Sequence, residues 1–195
     1  MKPLHHIRIT PWEIMFDGKA VKTEGEGEGL SLLRNAYQAH IGGYPRFHKM
    51  DALCKLGFVA SDLLLQAEGG RSFDENGHAR EEALREDRAV VLFNRGGSLE
   101  TDRQYQETID AADGYYPSPA LFVYTLANIV TGEICIRNGY CGESSFYVLP
   151  EKDLVLMERM VGESLTDRSA QSVLWGWVDY TDEHAFEAEM YLAEK

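Results

Sequence analysis

The chain reads as an α/β protein, a three-layer α/β/α arrangement built on a mostly parallel mixed sheet. Three observations point there. Short apolar runs at residues 89–93, 145–149 and 172–178 are rich in β-branched and aromatic side chains and are bounded by turn residues, the pattern of strands covered on both faces. Between them lie longer segments whose apolar residues recur every three or four positions, the pattern of helices that bury one side. Apolar residues make up 44% and charged residues 26% of 195, an ordinary globular composition with enough material for one core. Residues 1–195 are therefore taken as a single domain.

The elements follow in order. Residues 6–16, rich in Ile, Thr, Trp and Phe, read as a strand or strand pair, with Pro11 at an edge or bulge. Asp17-Gly18 is a turn. The alternating Glu-Gly stretch within residues 22–30 has no apolar face and a high ordering entropy, so a mobile loop is expected. Residues 30–40 form a short helix with Leu32, Leu33, Ala36 and Tyr37 inward, stopped by Gly42-Gly43. Asp51 caps a helix over 52–66, where Leu53, Leu56, Gly57, Ala60, Leu63 and Leu64 make one stripe. Gly57 in that stripe costs about 1 kcal/mol against Ala, which implies a close packing contact there.

Residues 69–87 are polar and read as a surface connection. The run 89–93 is a buried parallel strand, 94–98 a turn, and 99–112 a polar, exposed helix. Tyr115-Tyr116-Pro117 leads into Ser118-Pro119, an N-cap followed by a first-turn proline. Residues 120–137 are apolar on most sides, so one long, deeply buried helix is expected, ending at Asn138-Gly139. Residues 145–149 read as another buried strand. Pro150 then opens a helix to about Val161 with Leu154, Val155, Met157 and Met160 inward. A third inner strand covers 172–178. The tail, 185–192, reads equally as strand or short helix.

Charge narrows the function. Nineteen basic and 32 acidic side chains give 19 − 32 = −13, which repels nucleic acid and anionic membranes. No stretch approaches the ~20 apolar residues of a membrane helix. The three cysteines, Cys54, Cys135 and Cys141, form no CxxC pair and read as free thiols, so a soluble, cytoplasmic protein is expected.

The usual chemical motifs are missing. There is no GxGxxG and no GxxxxGK[ST]; Gly96-Gly97 serves a turn. No zinc-ligand spacing occurs, so no metal and no cofactor are expected. Cys141, in the turn Gly139-Tyr140-Cys141-Gly142, is the weak alternative nucleophile. The informative place is the strand-to-helix junction at Leu149, Pro150, Glu151 and Lys152. Such a junction can hold a nucleophile at a helix N-terminus, but residues 146–161 contain no Cys, Ser or Thr.

Four segments together resemble the N-terminal half of a β-ketoacyl synthase, of the thiolase-fold superfamily. Residues 47–58, FHKMDALCKLGF, resemble that family's first long helix. Residues 89–98 followed by Leu99-Glu100-Thr101-Asp102 resemble its strand, GS, E-x-D turn. Ser118-Pro119-Ala120-Leu121-Phe122-Val123-Tyr124-Thr125-Leu126-Ala127-Asn128 is similar to SPxLFxxTLPN, and Gly132-Glu133-Ile134-Cys135-Ile136-Arg137-Asn138-Gly139 to GxIAIRxG. Residues 173–178 fall where the family has its ALVGG strand. The likeness runs from about Arg8 to Asp179.

The resemblance implies one thiolase-like half, and its departures imply a role. The family's active cysteine would fall within one or two residues of Glu151, where this chain has Leu-Pro-Glu-Lys. The family's two catalytic histidines lie in its second half, and the chain ends after the first. Ala127 replaces a proline. Condensation needs a thiolate to carry the acyl chain and histidines to assist decarboxylation, so this chain alone is expected not to condense. The reading is a non-catalytic, chain-length-factor-like subunit of fatty-acid or polyketide synthesis, of aryl-polyene type for example. Its partner would be a full-length ketosynthase or itself, with acyl carrier protein met indirectly. Phe122, Leu126, Asn128, Ile129 and Val130 are the expected interface, since half a molecule would bare an apolar helical layer. The alternatives are a homodimeric acyl-binding or scaffolding protein, and an acyltransferase or hydrolase using Cys141 or Ser144.

Overall fold

The computed structural model describes residues 2–23, 25–110, 117–166 and 169–195. Strand β1 (Lys2–Ile9) is followed by two short strands, β2 (Ile14–Phe16) and β3 (Lys19–Ala20), that fold back on it. Pro11 lies in the turn between β1 and β2, and Asp17-Gly18, both at positive φ, form the next turn. Helix α1 (Leu30–Ala36) runs into a single π-helical turn, Tyr37–Ile41, and then α2 (Ala52–Leu65) follows. Asp51 caps α2 as expected, its Oδ1 accepting from the Cys54 N–H at 2.8 Å. Strand β4 (Arg88–Asn94) is buried throughout. Next come α3 (Leu99–Ile109), α4 (Pro119–Tyr124), α5 (Ile129–Asn138), β5 (Ser144–Val148), α6 (Leu154–Ser164), β6 (Ser172–Asp182) and β7 (Ala185–Glu194). The part of the expected loop at Tyr115 and Tyr116, and the end of the helix expected over 99–112, lie outside the described residues, as does Glu24.

The strands make one mixed sheet in the order β3-β2-β1-β7-β6-β4-β5. The α/β class and the mixed sheet hold. Parallel pairing is narrower than expected: β4 runs parallel to β5 and to β6, whereas β1–β2, β2–β3, β1–β7 and β6–β7 are antiparallel. The cause is connection length. β6 and β7 are joined by Glu183-His184, and so short a link returns the chain antiparallel. The tail is therefore a strand, with Phe186, Ala188, Met190 and Leu192 in the core and Glu187, Glu189 and Tyr191 on the opposite face.

Helices cover both faces unequally. On one side α1, α2 and α5 enclose Ile7, Ile9, Val90, Leu92, Leu174 and Val178. Gly57 is where α2 and α5 touch: a Cβ there would lie 2.4 Å from Val130 Cγ2. On the other side α6 sets Met157 and Val161 on Val91, Phe93, Trp175 and Trp177.

Three further expectations are corrected. The helix expected over 120–137 is two helices. The chain turns at residues 125–128, where the Thr125 hydroxyl donates back to the Phe122 carbonyl at 2.7 Å and the Thr125 carbonyl accepts from Ser98 Oγ. Such local bonds compete with helix propagation, and all-round apolarity reflects two short helices burying different sides. The helix expected from Pro150 begins at Leu154, because Asp153 supplies the cap, accepting from Leu156 N at 3.0 Å; Leu154 and Val155 face outward. β5 is a sheet edge rather than a buried strand, since it pairs with β4 alone, and Val148 is 58% exposed. No helix among the described residues is long and apolar enough to cross a membrane.

Candidate functional site

The bend after β5 is held by main-chain and ionic contacts. Leu149 N donates to the Asn94 carbonyl at 2.8 Å, extending the β4–β5 ladder by one residue. Pro150 and Glu151 are exposed. Lys152 reaches across to β7, donating through Nζ to Glu187 Oε2 at 2.9 Å and to Glu189. Glu189 also meets His6 Nε2 at 3.1 Å and accepts from the Tyr191 hydroxyl at 2.7 Å. Arg8 donates to Glu187 at 2.9 Å. His6, Tyr191 and Trp175 stack in series, each pair of ring centroids 4.6 Å apart.

This clasp changes protonation. The bond from His6, followed by those from Lys152 and Tyr191, outweighs burial and holds the Glu189 carboxyl well below the usual carboxylate range. Burial, and then the bond to Glu189, push the Tyr191 phenol up. Beside the clasp lies a shallow cleft of about 280 Å³ edged by Arg95, Glu151, Lys152, Trp177 and Asp179. Asp179 Oδ1 accepts the Arg95 and Gly96 N–H groups at 3.0 and 3.1 Å. The bend thus carries carboxylates, a lysine and an arginine. None is a thiol or hydroxyl, so covalent acyl transfer of the thiolate kind has no group to start it at this place.

The cysteines lie elsewhere. Cys141 is exposed, its N–H donating to the Arg85 carbonyl at 2.8 Å. It precedes β5 whereas the bend follows it, so a strand of roughly 15 Å separates them. Its sulfur meets the Gly139 carbonyl at 3.9 Å, and no histidine bonds to it among the described residues. Ser144, the first residue of β5, is exposed. Burial pushes the Cys135 thiol up to about 11. The Cys54 thiol also rises, through burial and then the charge of Asp51. Neither thiol is poised as a nucleophile. Among the described residues no group of His, Cys, Asp and Glu could hold a metal ion.

The expected interface residues divide. Phe122 and Leu126 are 53% and 52% exposed, Asn128 is exposed and Ile129 is half-buried. Val130 is fully buried against Gly57 and offers nothing to a partner. Val123, not singled out from the sequence, joins the exposed patch. The Lys152–Glu187–Glu189–His6 clasp was also missed. Its one sequence signal is the alternation of Glu187, Glu189 and Tyr191 along β7, which marks a polar face without naming its partners.

No family model matches the chain, and no curated protein matches it by sequence. Solved structures do match its fold. The ishigamide ketosynthase/chain length factor aligns with 99% of this chain and 61% of its own, at 18% identity and a TM-score of 0.66. A ketosynthase (ApeO) in complex with its chain length factor (ApeC), from Xenorhabdus doucetiae, aligns over 100% of this chain and 78% of its own, at 15% identity and a TM-score of 0.59. A β-ketoacyl synthase from Burkholderia phymatum STM815 aligns over 99% and 58%, at 10% identity and a TM-score of 0.54. The chain shares its fold with these ketosynthase structures. The chain spans about three fifths of the first of these structures.

Proposed function

We propose that this protein is a non-catalytic, chain-length-factor-like partner of a full-length ketosynthase in fatty-acid or polyketide-type assembly. The observation that carries the reading is the bend after β5. Where the resemblance calls for a cysteine, Pro150, Glu151 and Lys152 stand, with Lys152 tied to Glu187 and Glu189. A second support is the exposed apolar patch of Phe122, Val123 and Leu126, a surface suited to a partner. The open edge of β5 adds unpaired backbone groups at the sheet rim. The likeness to ketosynthase/chain length factor pairs fits the same role. Three free cysteines suit action in the cytoplasm.

The test is co-expression with a full-length ketosynthase encoded nearby. The expected result is a stable mixed complex on size-exclusion chromatography with light scattering, condensation by the complex, and none by this chain alone. Leu126→Asp, at an exposed position, should weaken the complex at least tenfold without unfolding the chain. A homodimer that ignores every ketosynthase offered would favour the scaffolding alternative. Condensation by the isolated chain would end the proposal.

A further inference from the structure

A cleft of about 390 Å³ opens between the end of α2, the 69–87 connection and the end of α5. Its volume is that of a small-ligand pocket. Its charges balance. Arg71 and Arg85 line it against Glu68 and Glu82, 2 − 2 = 0. The groups that buttress this lining balance as well. Asp62 pairs with Arg71 and Arg137, Asp87 with Arg85, and Arg88 with Glu68. The two further arginines and two further aspartates again give 2 − 2 = 0. A ligand with a net charge would leave that charge unmatched here. A ligand with one charge of each sign would not.

Both signs have atoms to spare. Arg71 uses Nη1 for Asn138 at 3.0 Å and Nη2 for the Asp62 carbonyl at 2.9 Å, and its Nε has no acceptor among the described residues. Arg85 bonds to Asp87 and Ser172 through Nε and Nη2, leaving Nη1 likewise. Burial opposes it, but the bond from Arg88 and the nearby charges of Arg85 and Arg71 keep the Glu68 carboxyl below its ordinary value, so these guanidinium groups converge on one place. The oxygens of Glu68 are taken by Arg88 at 2.7 and 2.6 Å. Glu82 differs: it lies in the single 3-10 turn Glu81–Ala83, three residues before Arg85, and its carboxylate has no donor among the described residues. Beside these groups the wall is apolar: Phe73, Ala79 and Leu84, the last 51% exposed at the mouth.

The cleft is built in advance of any ligand. Main-chain bonds tie the connection to the end of α5: Ala79 N to the Arg137 carbonyl at 2.9 Å, and Arg85 N to the Gly139 carbonyl at 2.9 Å. Gly139, at φ +66°, lets the wall close, since a Cβ there would lie 2.8 Å from Leu84. The Arg137 guanidinium stacks 3.7 Å over the Phe73 ring and fixes that ring too.

We propose that this cleft binds a small zwitterion, an α-amino acid with an aliphatic side chain. Its carboxylate takes the spare N–H groups of Arg71 and Arg85, since guanidinium groups match carboxylate geometry. Its ammonium donates to Glu82, and its side chain lies on Phe73 and Leu84. The site shares no residue with the bend after β5 and does not rest on the ketosynthase reading.

The test titrates the full chain at neutral pH and constant ionic strength, reading amide chemical shifts. The probes are L-leucine, isocaproate, which is leucine without the ammonium, and isoamylamine, which is leucine without the carboxylate. Leucine is expected to saturate, with shifts centred on residues 69–85 and 137–140, and each single-charge analogue to bind at least tenfold more weakly. Glu82→Gln, on the exposed rim, should weaken leucine about fivefold, the scale of a part-exposed ion pair. Glu82→Lys should reverse the order, so that isocaproate binds more tightly than leucine. Absence of saturation by leucine overturns the proposal. So does isocaproate or isoamylamine binding the unaltered chain as tightly as leucine, or undiminished leucine binding by Glu82→Gln.

Discussion

Glu189 shows how one carboxylate organises its surroundings. It takes hydrogen bonds from His6, Lys152 and Tyr191, and its pKa falls below the ordinary value of 4.5. A carboxyl with a lowered folded-state pKa adds stability that is complete above the unfolded value and is lost as pH falls through the folded one. Acid should therefore weaken the fold progressively below about pH 4.5, and Glu189→Gln should flatten that part of the profile. Urea midpoints at pH 7 and pH 4 would check it: the difference between the two should shrink in the variant. Gly57 makes the opposite case, a position held by what is missing. Its absent Cβ would stand 2.4 Å from Val130 Cγ2. Gly57→Ala gains about 1 kcal/mol of helix propensity but overpacks the contact at a cost of about 1–3 kcal/mol. A net loss in denaturant midpoint is expected, and Val130→Ala in the same chain should recover part of it.

Among the elements, α2 depends on its cap. Asp51 accepts from Cys54 N with one oxygen and from the Thr101 hydroxyl, at 2.6 Å, with the other, so one side chain starts α2 and anchors α3. Asp51→Ala should cost about 1–2 kcal/mol, at the upper end for a cap because two bonds go; guanidinium unfolding would measure it. The break between α4 and α5 has a functional consequence. A single straight helix would carry Phe122 and Val130 through one continuous packing layer. The turn at 125–128 instead leaves Phe122, Val123 and Leu126 outside while Val130 goes into the core. β5 is half-covered for a related reason, because a strand with one neighbour has one row of backbone groups unpaired.

For the molecule as a whole, the apolar patch at α4 and the bend after β5 lead to one expectation. Under the proposed function, the chain should pair with a ketosynthase and leave the chemistry to it. The pairing should survive moderate salt if the patch dominates, because apolar burial is not screened as surface charge is. Light scattering of the mixed complex at 0.1 and 0.5 M sodium chloride would measure this; dissociation at the higher salt would assign the contact to charge instead.

Much of this was legible in consecutive residues. The stripe of α2, its Asp51 cap, the run of β4 and the lack of any Cys, Ser or Thr from 146 to 161 are properties of short windows. Side-chain periodicity and chemistry show there directly. Tertiary closure alone decided the rest. Lys152 found Glu187 and Glu189, Asp62 found Arg71 and Arg137, and Val130 turned inward onto Gly57. It also decided that the outer strands run antiparallel and that β5 lies on the rim. These outcomes join residues far apart in the chain, and no local pattern encodes which distant groups meet once the sheet has closed.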